Sequence, residues 1–398
     1  MLMSEKALVG GRRYWLWVTC LLQIVLAGLC CYLRQLAQGL VITGLSRDVT
    51  WGLYIAQFTF FVGIAASAVT VVLPYYLHDC KQFGRLTILG ELLAIAAVIV
   101  SVLFIVVDLG QPSRVLNIVL HPQPQSVMFW DLIALGGYFL INTVIASATL
   151  NAEREHMPPR NWIRTLALIS IPWAISIHTV TAFLFSGLPG RAYWLTAILA
   201  PRFLASAFAS GPALLILLCF LIRKVTTFDV GNEALHKLAV IVTYATAINV
   251  FFILAEVFTA FYSEIPEHEA GFEYLFAGMG GDYHLAPWMW LSFVLSLVAL
   301  TLLVVPKWRT RNRMLAVACL CVFVSVWLDK GLGLIIGGFV PSPLGAITRY
   351  TPTLPEWSIV SGIWAVGALL TTVLLKTAFP IWEDSDRNQH VGDSTCRL

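Results

Sequence analysis

Charge is scarce in this sequence. Lys, Arg, Asp and Glu make up 12% of its 398 residues, against 59% hydrophobic residues. A soluble domain of this length carries about 25% charged residues to cover its surface, so a soluble globular fold is excluded. The net charge of +3 leaves no basic footprint for nucleic acid. Neither Cys-x-x-Cys nor Cys-x-x-Cys-His occurs among Cys20, Cys30, Cys31, Cys80, Cys219, Cys319, Cys321 and Cys396. That removes the usual ligand patterns for iron–sulfur clusters, c-type haem and zinc, and most of these cysteines read as small buried thiols in apolar runs. The short alternating strands of a membrane barrel are missing, and no internal repeat is visible.

What the chain has instead is apolar runs near the ~20-residue length that crosses a bilayer. Ten can be drawn, at roughly 14–36, 51–77, 84–108, 126–150, 161–185, 201–222, 236–262, 285–306, 312–336 and 357–380. The fold class is therefore all-α, a polytopic transmembrane helix bundle. It forms one integral-membrane domain over residues 1–382, followed by a polar tail at 383–398 that reads as a disordered cytoplasmic end. Arg12-Arg13 before the first run looks like the start of a signal peptide. The run is too long and no small-residue cleavage pattern follows, so it reads as a retained span. Trp15, Trp51, Trp130, Trp162, Trp288, Trp357 and Trp382 crowd the span ends, as in an aromatic belt.

Basic residues set the expected orientation. The two termini and the 2–3, 4–5, 6–7 and 8–9 connections carry 18 Lys and Arg; the alternate connections and their adjoining span ends carry 7. The 7–8 loop has none and holds Glu264, Glu267, Glu269, Glu273 and Asp282. Both termini are expected in the cytoplasm of a bacterial or archaeal cell, with the acidic loop outside.

An ion is costly in hydrocarbon, so intramembrane ionisable residues are functional candidates by default. At about 1.5 Å rise per residue, His178, Glu256, Asp329, Lys330 and Asp131 fall in one layer near the outer surface. Asp108 closes span three on that side and Arg114 follows it. Asp329 and Lys330 are neighbours, so on a helix they point in different directions; each could equally be half of a stabilising ion pair. On the inner side Glu91 is the candidate, and Tyr138, Asn142, Tyr244 and Asn249 could extend a polar route between the layers, or serve as ordinary interhelical hydrogen-bonding groups. Of the histidines only His178 is well inside a span; His78, His236 and His284 lie at span ends. An internal b-type haem held by paired histidines does not fit this distribution, though an interfacial one stays open. The reading gives the chain no haem or iron–sulfur cluster of its own.

Three stretches resemble a known family. Asp108-Leu109-Gly110-Gln111-Pro112-Ser113-Arg114 is similar to the Asp-x-Gly-x-Pro-x-Arg signature of the NrfD/PsrC family, the polysulfide reductase membrane subunits. Ser126 to Asp131 is similar to its Ser-x-x-x-Trp-Asp element, and Ser176 to Thr181 to its span-five histidine element. The resemblance runs from about Trp51 to Pro380. Within the family the ten-span layout resembles the DsrP type, the membrane subunit of the sulfite-reduction-associated DsrMKJOP assembly; Leu188 to Arg191 and Leu199 to Ala205 add to this.

The resemblance implies a quinone pocket near the outer surface, with menaquinone or ubiquinone as bound substrate. It also implies an extracytoplasmic iron–sulfur partner above that pocket. For a DsrP-like chain the implied partners are a DsrO-like iron–sulfur protein, a DsrJ-like multihaem cytochrome, a DsrM-like haem-b membrane subunit and a cytoplasmic DsrK-like subunit, in dissimilatory sulfur metabolism. On this reading His178 and Asp131 flank the headgroup, with Trp130, Arg114 and Asp108 shaping the quinone site and its mouth. Glu256, Asp329, Lys330 and Tyr138 serve a proton pathway, with Glu91 as its inner gate. Whether protons are translocated stays open. Two other functions compete. A secondary transporter would place its charges near the midplane beside broken helices, for which Pro172 and Gly331/Gly333 are the available breakers. A passive anchor would hold redox partners without binding quinone.

Overall fold

Lipid offers backbone N–H and C=O groups no hydrogen-bond partner, so a spanning segment must pair them within itself. The computed structural model describes residues 10–395 except Asp79, His156, Pro158, Pro159 and Thr227; side chains are described for all of these but Lys81, Pro380 and 383–395. Among the described residues there are ten helices long and apolar enough to cross a membrane and no named strand. They are α1 (Arg12–Gln38), α2 (Leu53–Leu77), α3 (Gly84–Asp108), α4 (Val127–Arg154), α5 (Asn161–Ser186), α6 (Leu199–Val225), α7 (Asn232–Tyr262), α8 (Ala286–Val304), α9 (Asn312–Phe339) and α10, which starts at Leu354 and stays helical to Thr395. The chain is an integral, multi-pass membrane protein.

α2 is the axis of the bundle. It is apolar on every side, and each residue from Leu53 to Val72 is buried, which is how a helix without a polar face must sit. α3, α6 and α9 pack around it. The first helix closes against the last: a Cβ on Gly28 would lie 2.8 Å from the Cα of Gly362, so the two backbones touch there. About three turns further along the same pair, Trp17 Nε1 donates to Thr372 Oγ1, at 3.2 Å.

Side-chain bonds define two ends. At one, Arg191 donates to Phe339 O and Asp48 O, Thr348 to Asp48, and Gly44 N to Glu356; this end also carries the acidic loop, with its short helix Pro266–Phe276. At the other, Gln82 bonds Glu233 and Lys237, and Asn312 bonds Asn232. They are called here the acidic-loop end and the basic end.

Two helices are irregular. α2 is interrupted at Ala66 and finishes as a π-helical turn, Leu73–Leu77. α9 contains a π-helical segment, Trp327–Gly333. Such wide turns are rare and gather at functional sites.

Three expectations need correction. Cys20 and Cys30 are exposed on the outside of α1 rather than buried; Cys396 lies outside the described residues. Trp15, Trp130, Trp162, Trp288 and Trp357 are 40–54% exposed, as belt residues should be, but Trp382 is buried and Trp51 stacks on Trp194 inside the acidic-loop end. The tail expected to be disordered has helical backbone from 383 to 395; residues 396–398 lie outside the described residues.

Candidate functional site

Near the acidic-loop end four charged side chains from three helices form one buried network. Arg202 is the fourth residue of α6. Its Nη2 lies 2.7 and 2.8 Å from the two carboxylate oxygens of Asp329 on α9, a bidentate contact, and its Nη1 bonds Glu256 Oε2 on α7. All three residues are at most 7% exposed. Lys330 is buried beside them. Its Nζ donates to Phe203 O at 3.2 Å and lies 4.3 Å from the centre of the Phe203 ring. A Cβ on Gly63 of α2 would come within 3.3 Å of that Nζ, so the glycine leaves room for the ammonium. Asp329 and Lys330, expected to point apart, both reach α6, at the adjacent residues Arg202 and Phe203. They do so from the π-helical segment. Two cations and two carboxylates make the network neutral overall, as a charge cluster in low dielectric must nearly be.

His178 on α5 is 1% exposed, and neither ring nitrogen has a hydrogen-bond partner. Lys330 is close enough to act on it electrostatically. Three residues further along the same helix face, Thr181 donates to Asp131 Oδ1 at 2.7 Å. His178 and Asp131 are thus linked through one turn of α5, and His178 points into protein. A buried imidazole with two open nitrogens can donate from one and accept at the other. Those unpaired atoms fit the carbonyl or hydroxyl oxygens of a quinone or quinol.

The other predicted site residues fall elsewhere. Trp130 is 49% exposed and donates to Pro124 O at 2.8 Å. Arg114 is exposed, with no side-chain partner among the described residues. Asp108 belongs to a second polar cluster, between α1, α2, α3 and α10. There Gln35 Nε2 donates to Val107 O at 2.6 Å, and Tyr54 OH donates to Gln35 Oε1 at 2.8 Å. The hub of this cluster is Glu356, fully buried. It accepts from Gly44 N, Thr353 N, Thr353 Oγ1 and Tyr350 OH, at 2.8, 2.8, 3.1 and 2.7 Å. Burial first, and Glu356 beside it second, push the Tyr350 phenol well up, so it remains a donor.

Deeper, Glu91 on α3 is 1% exposed and neither carboxylate oxygen has a partner. It lies within electrostatic reach of Tyr138, Tyr76 and Glu153. Tyr138 OH donates to Ala65 O, where α2 is interrupted, and Asn142 donates to Tyr138 O. Asn249 is buried, but Tyr244 is 67% exposed and drops out of any internal route. A seam of hydroxyls that sequence reasoning missed runs between the two levels. Ser206 donates to Phe203 O, Ser210 to Ser206 O and Ser67 to Gly90 O. All three are at most 1% exposed, and Gly90 precedes Glu91. A serine every fourth residue on α6 was the available signal.

The family model described as "Polysulphide reductase, NrfD" matches residues 41–341. A protein of Halobacterium salinarum, provisionally named as a membrane subunit of dimethyl sulfoxide reductase, is 27% identical over 92% of this chain and 90% of its own length. The Hdr-like menaquinol oxidoreductase integral membrane subunit of Archaeoglobus fulgidus is 23% identical over 94% of this chain and 96% of its own. The menaquinone reductase integral membrane subunit of Nitratidesulfovibrio vulgaris is 22% identical over 91% and 90%.

Proposed function

This chain belongs to the polysulphide reductase NrfD family, and on that premise we propose that it is the quinone-reactive membrane subunit of a multi-subunit redox complex. The observation that carries the proposal is His178, buried with both ring nitrogens open beside the Asp131–Thr181 pair. A quinone bound there supplies two-electron, two-proton redox chemistry. His178 donates a hydrogen bond to one carbonyl, or accepts the proton of the reduced form. Asp131, oriented by Thr181, exchanges that proton. Lys330 biases the site electrostatically. Arg202 fixes the carboxylates of Glu256 and Asp329, which holds the π-helical segment that presents Lys330. Protons reach or leave the site along Ser206, Ser210 and Ser67, with Glu91 and Tyr138 at the inner stage. Asp108, Arg114 and Trp130 lie outside this site, Asp108 in the Glu356 cluster and the other two exposed, and take no part in holding the headgroup.

The acidic-loop end faces outward in this reading. Arg202 and Lys330 were among the seven basic residues counted on that side, but both are buried within the bundle, so the charge asymmetry between the two ends is sharper than the sequence count. The partner is an extracytoplasmic iron–sulfur protein or cytochrome, DsrO- or DsrJ-like, with DsrM- and DsrK-like subunits completing the assembly in sulfur metabolism. The names of the Archaeoglobus fulgidus and Nitratidesulfovibrio vulgaris relatives favour menaquinone. In the purified complex, His178→Ala or Asp131→Asn lowers quinone-dependent electron transfer by about 10²–10⁴-fold, the range for a lost general acid–base group. Normal turnover in a normally assembled complex would defeat the assignment.

A further inference from the structure

A shallow cavity of about 450 Å³, open along its outer side, lies between α1, α2, α9 and α10, away from His178. Its polar centre is Gln57, fully buried. Trp327 Nε1 and Trp364 Nε1 both donate to Gln57 Oε1, at 2.9 and 3.0 Å. Two converging N–H donors fix which end of the amide is oxygen, so the NH2 end is fixed too. Gln57 Nε2 is buried and has no partner. A buried amide nitrogen left unpaired costs roughly 1–3 kcal/mol, and a residue that bears such a cost beside a cavity is set to receive an acceptor from it.

The walls say which acceptor. Trp327, Trp357 and Trp364 line the cavity with flat indoles, and Trp364 is held parallel to Phe60 at 6.3 Å. Ile24 and Trp357 on its rim are 37% and 40% exposed on the lipid-facing side, so the occupant arrives through the bilayer. The volume falls within the roughly 300–1,000 Å³ of small-molecule sites. A flat, apolar, membrane-borne molecule that offers a carbonyl is an isoprenoid quinone. We infer that this cavity is a second quinone site, with Gln57 Nε2 donating to a quinone carbonyl between the indoles. Trp327 opens the same π-helical segment that carries Asp329 and Lys330, so occupancy here bears directly on the backbone of the ion network. The choice of quinone over another carbonyl compound rests on the function proposed above; the cavity and its open amide do not.

The test uses the full chain, purified in detergent and irradiated with an azido-naphthoquinone probe, with adducts mapped by mass spectrometry. Adducts are expected in two sets, one around Gln57, Trp327 and Trp364 and one around His178, both suppressed by excess menaquinone-4. Ser361→Phe, at an exposed position on the cavity wall, fills the space without touching the core and should lower the first set at least tenfold while sparing the second. Gln57→Leu keeps the volume and removes the amide donor, together with the acceptor of both indole N–H groups. It should weaken menaquinone-4 competition at the first set about three- to tenfold, the worth of one hydrogen bond. If Ser361→Phe leaves the first set intact, or added phospholipid displaces those adducts and menaquinone-4 does not, the second site is overturned. If only the His178 set is missing, the site proposed above fails and the second one stands.

Discussion

Asp329 and Glu91 are both carboxylates buried on membrane-spanning helices, yet their surroundings differ in kind. Asp329 receives two hydrogen bonds from Arg202 and sits in a network whose charges balance. Glu91 has a partner on neither oxygen. The same contrast separates Glu356, with four donors around it, from His178, with none. A satisfied buried charge is committed to holding helices together. An unsatisfied one is retained at a cost in stability, which points to a ligand or a proton as its missing partner.

Breaking the satisfied side gives the largest effect. Arg202→Ala leaves Glu256 and Asp329 buried without a cation, and the loss should be about 3–5 kcal/mol, read as a large fall in thermal stability and in yield of assembled protein. Next comes Glu356→Gln, which strands donors at a fully buried hub and should destabilise by about 1–3 kcal/mol. Glu91→Gln removes no bond at all. Its stability should change by less than about 1 kcal/mol, while proton uptake from the basic end stops. A Glu91 variant as unstable as Arg202→Ala would erase the distinction between the two kinds of carboxylate, and unchanged proton uptake would remove Glu91 from the route.

The smallest effect lies outside the membrane. Partial burial would raise the Asp282 carboxyl, but His284, bonded to it at 2.6 Å, and Tyr274 outweigh that and hold it below the ordinary value. His284 also reaches Tyr350 O at 3.0 Å, tying the acidic loop to the segment before α10. A depressed carboxylate stabilises above its unfolded pKa of about 3.9, and that contribution disappears as pH falls through the folded value. Hydrogen exchange in the acidic loop should therefore rise below about pH 3.9, and Asp282→Asn should show the same faster exchange at neutral pH, by about 1 kcal/mol or less.

Depth was legible in the sequence; direction was not. Counting rise per residue placed Glu256, Asp329, Lys330, His178 and Asp131 in one layer, because position along a helix is arithmetic. Trp130 and Arg114 have the right depth but face away, since which side of a helix meets the bundle is decided by its neighbours. Arg202 escaped for a different reason. With span six drawn from residue 201, it counted as a loop charge, but α6 begins at Leu199 and carries it inside. Glu356 was lost likewise, lying just before a span drawn from 357 while α10 begins at Leu354. An error of two or three residues at a helix start is ordinary, and here it hid the central cation of one cluster and the hub of the other.

The contact of Gly28 with Gly362 has a consequence for biosynthesis. Of the ten described spans the first in chain order finds its main partner in the tenth, so during insertion α1 must wait in lipid until the nine spans after it have been delivered. A chain stopped before α10 would leave the backbone at Gly28 bare and present it to any neighbouring helix with a small residue to offer. Such truncations should be recognised by membrane quality control, however well the interior around α2 has already formed.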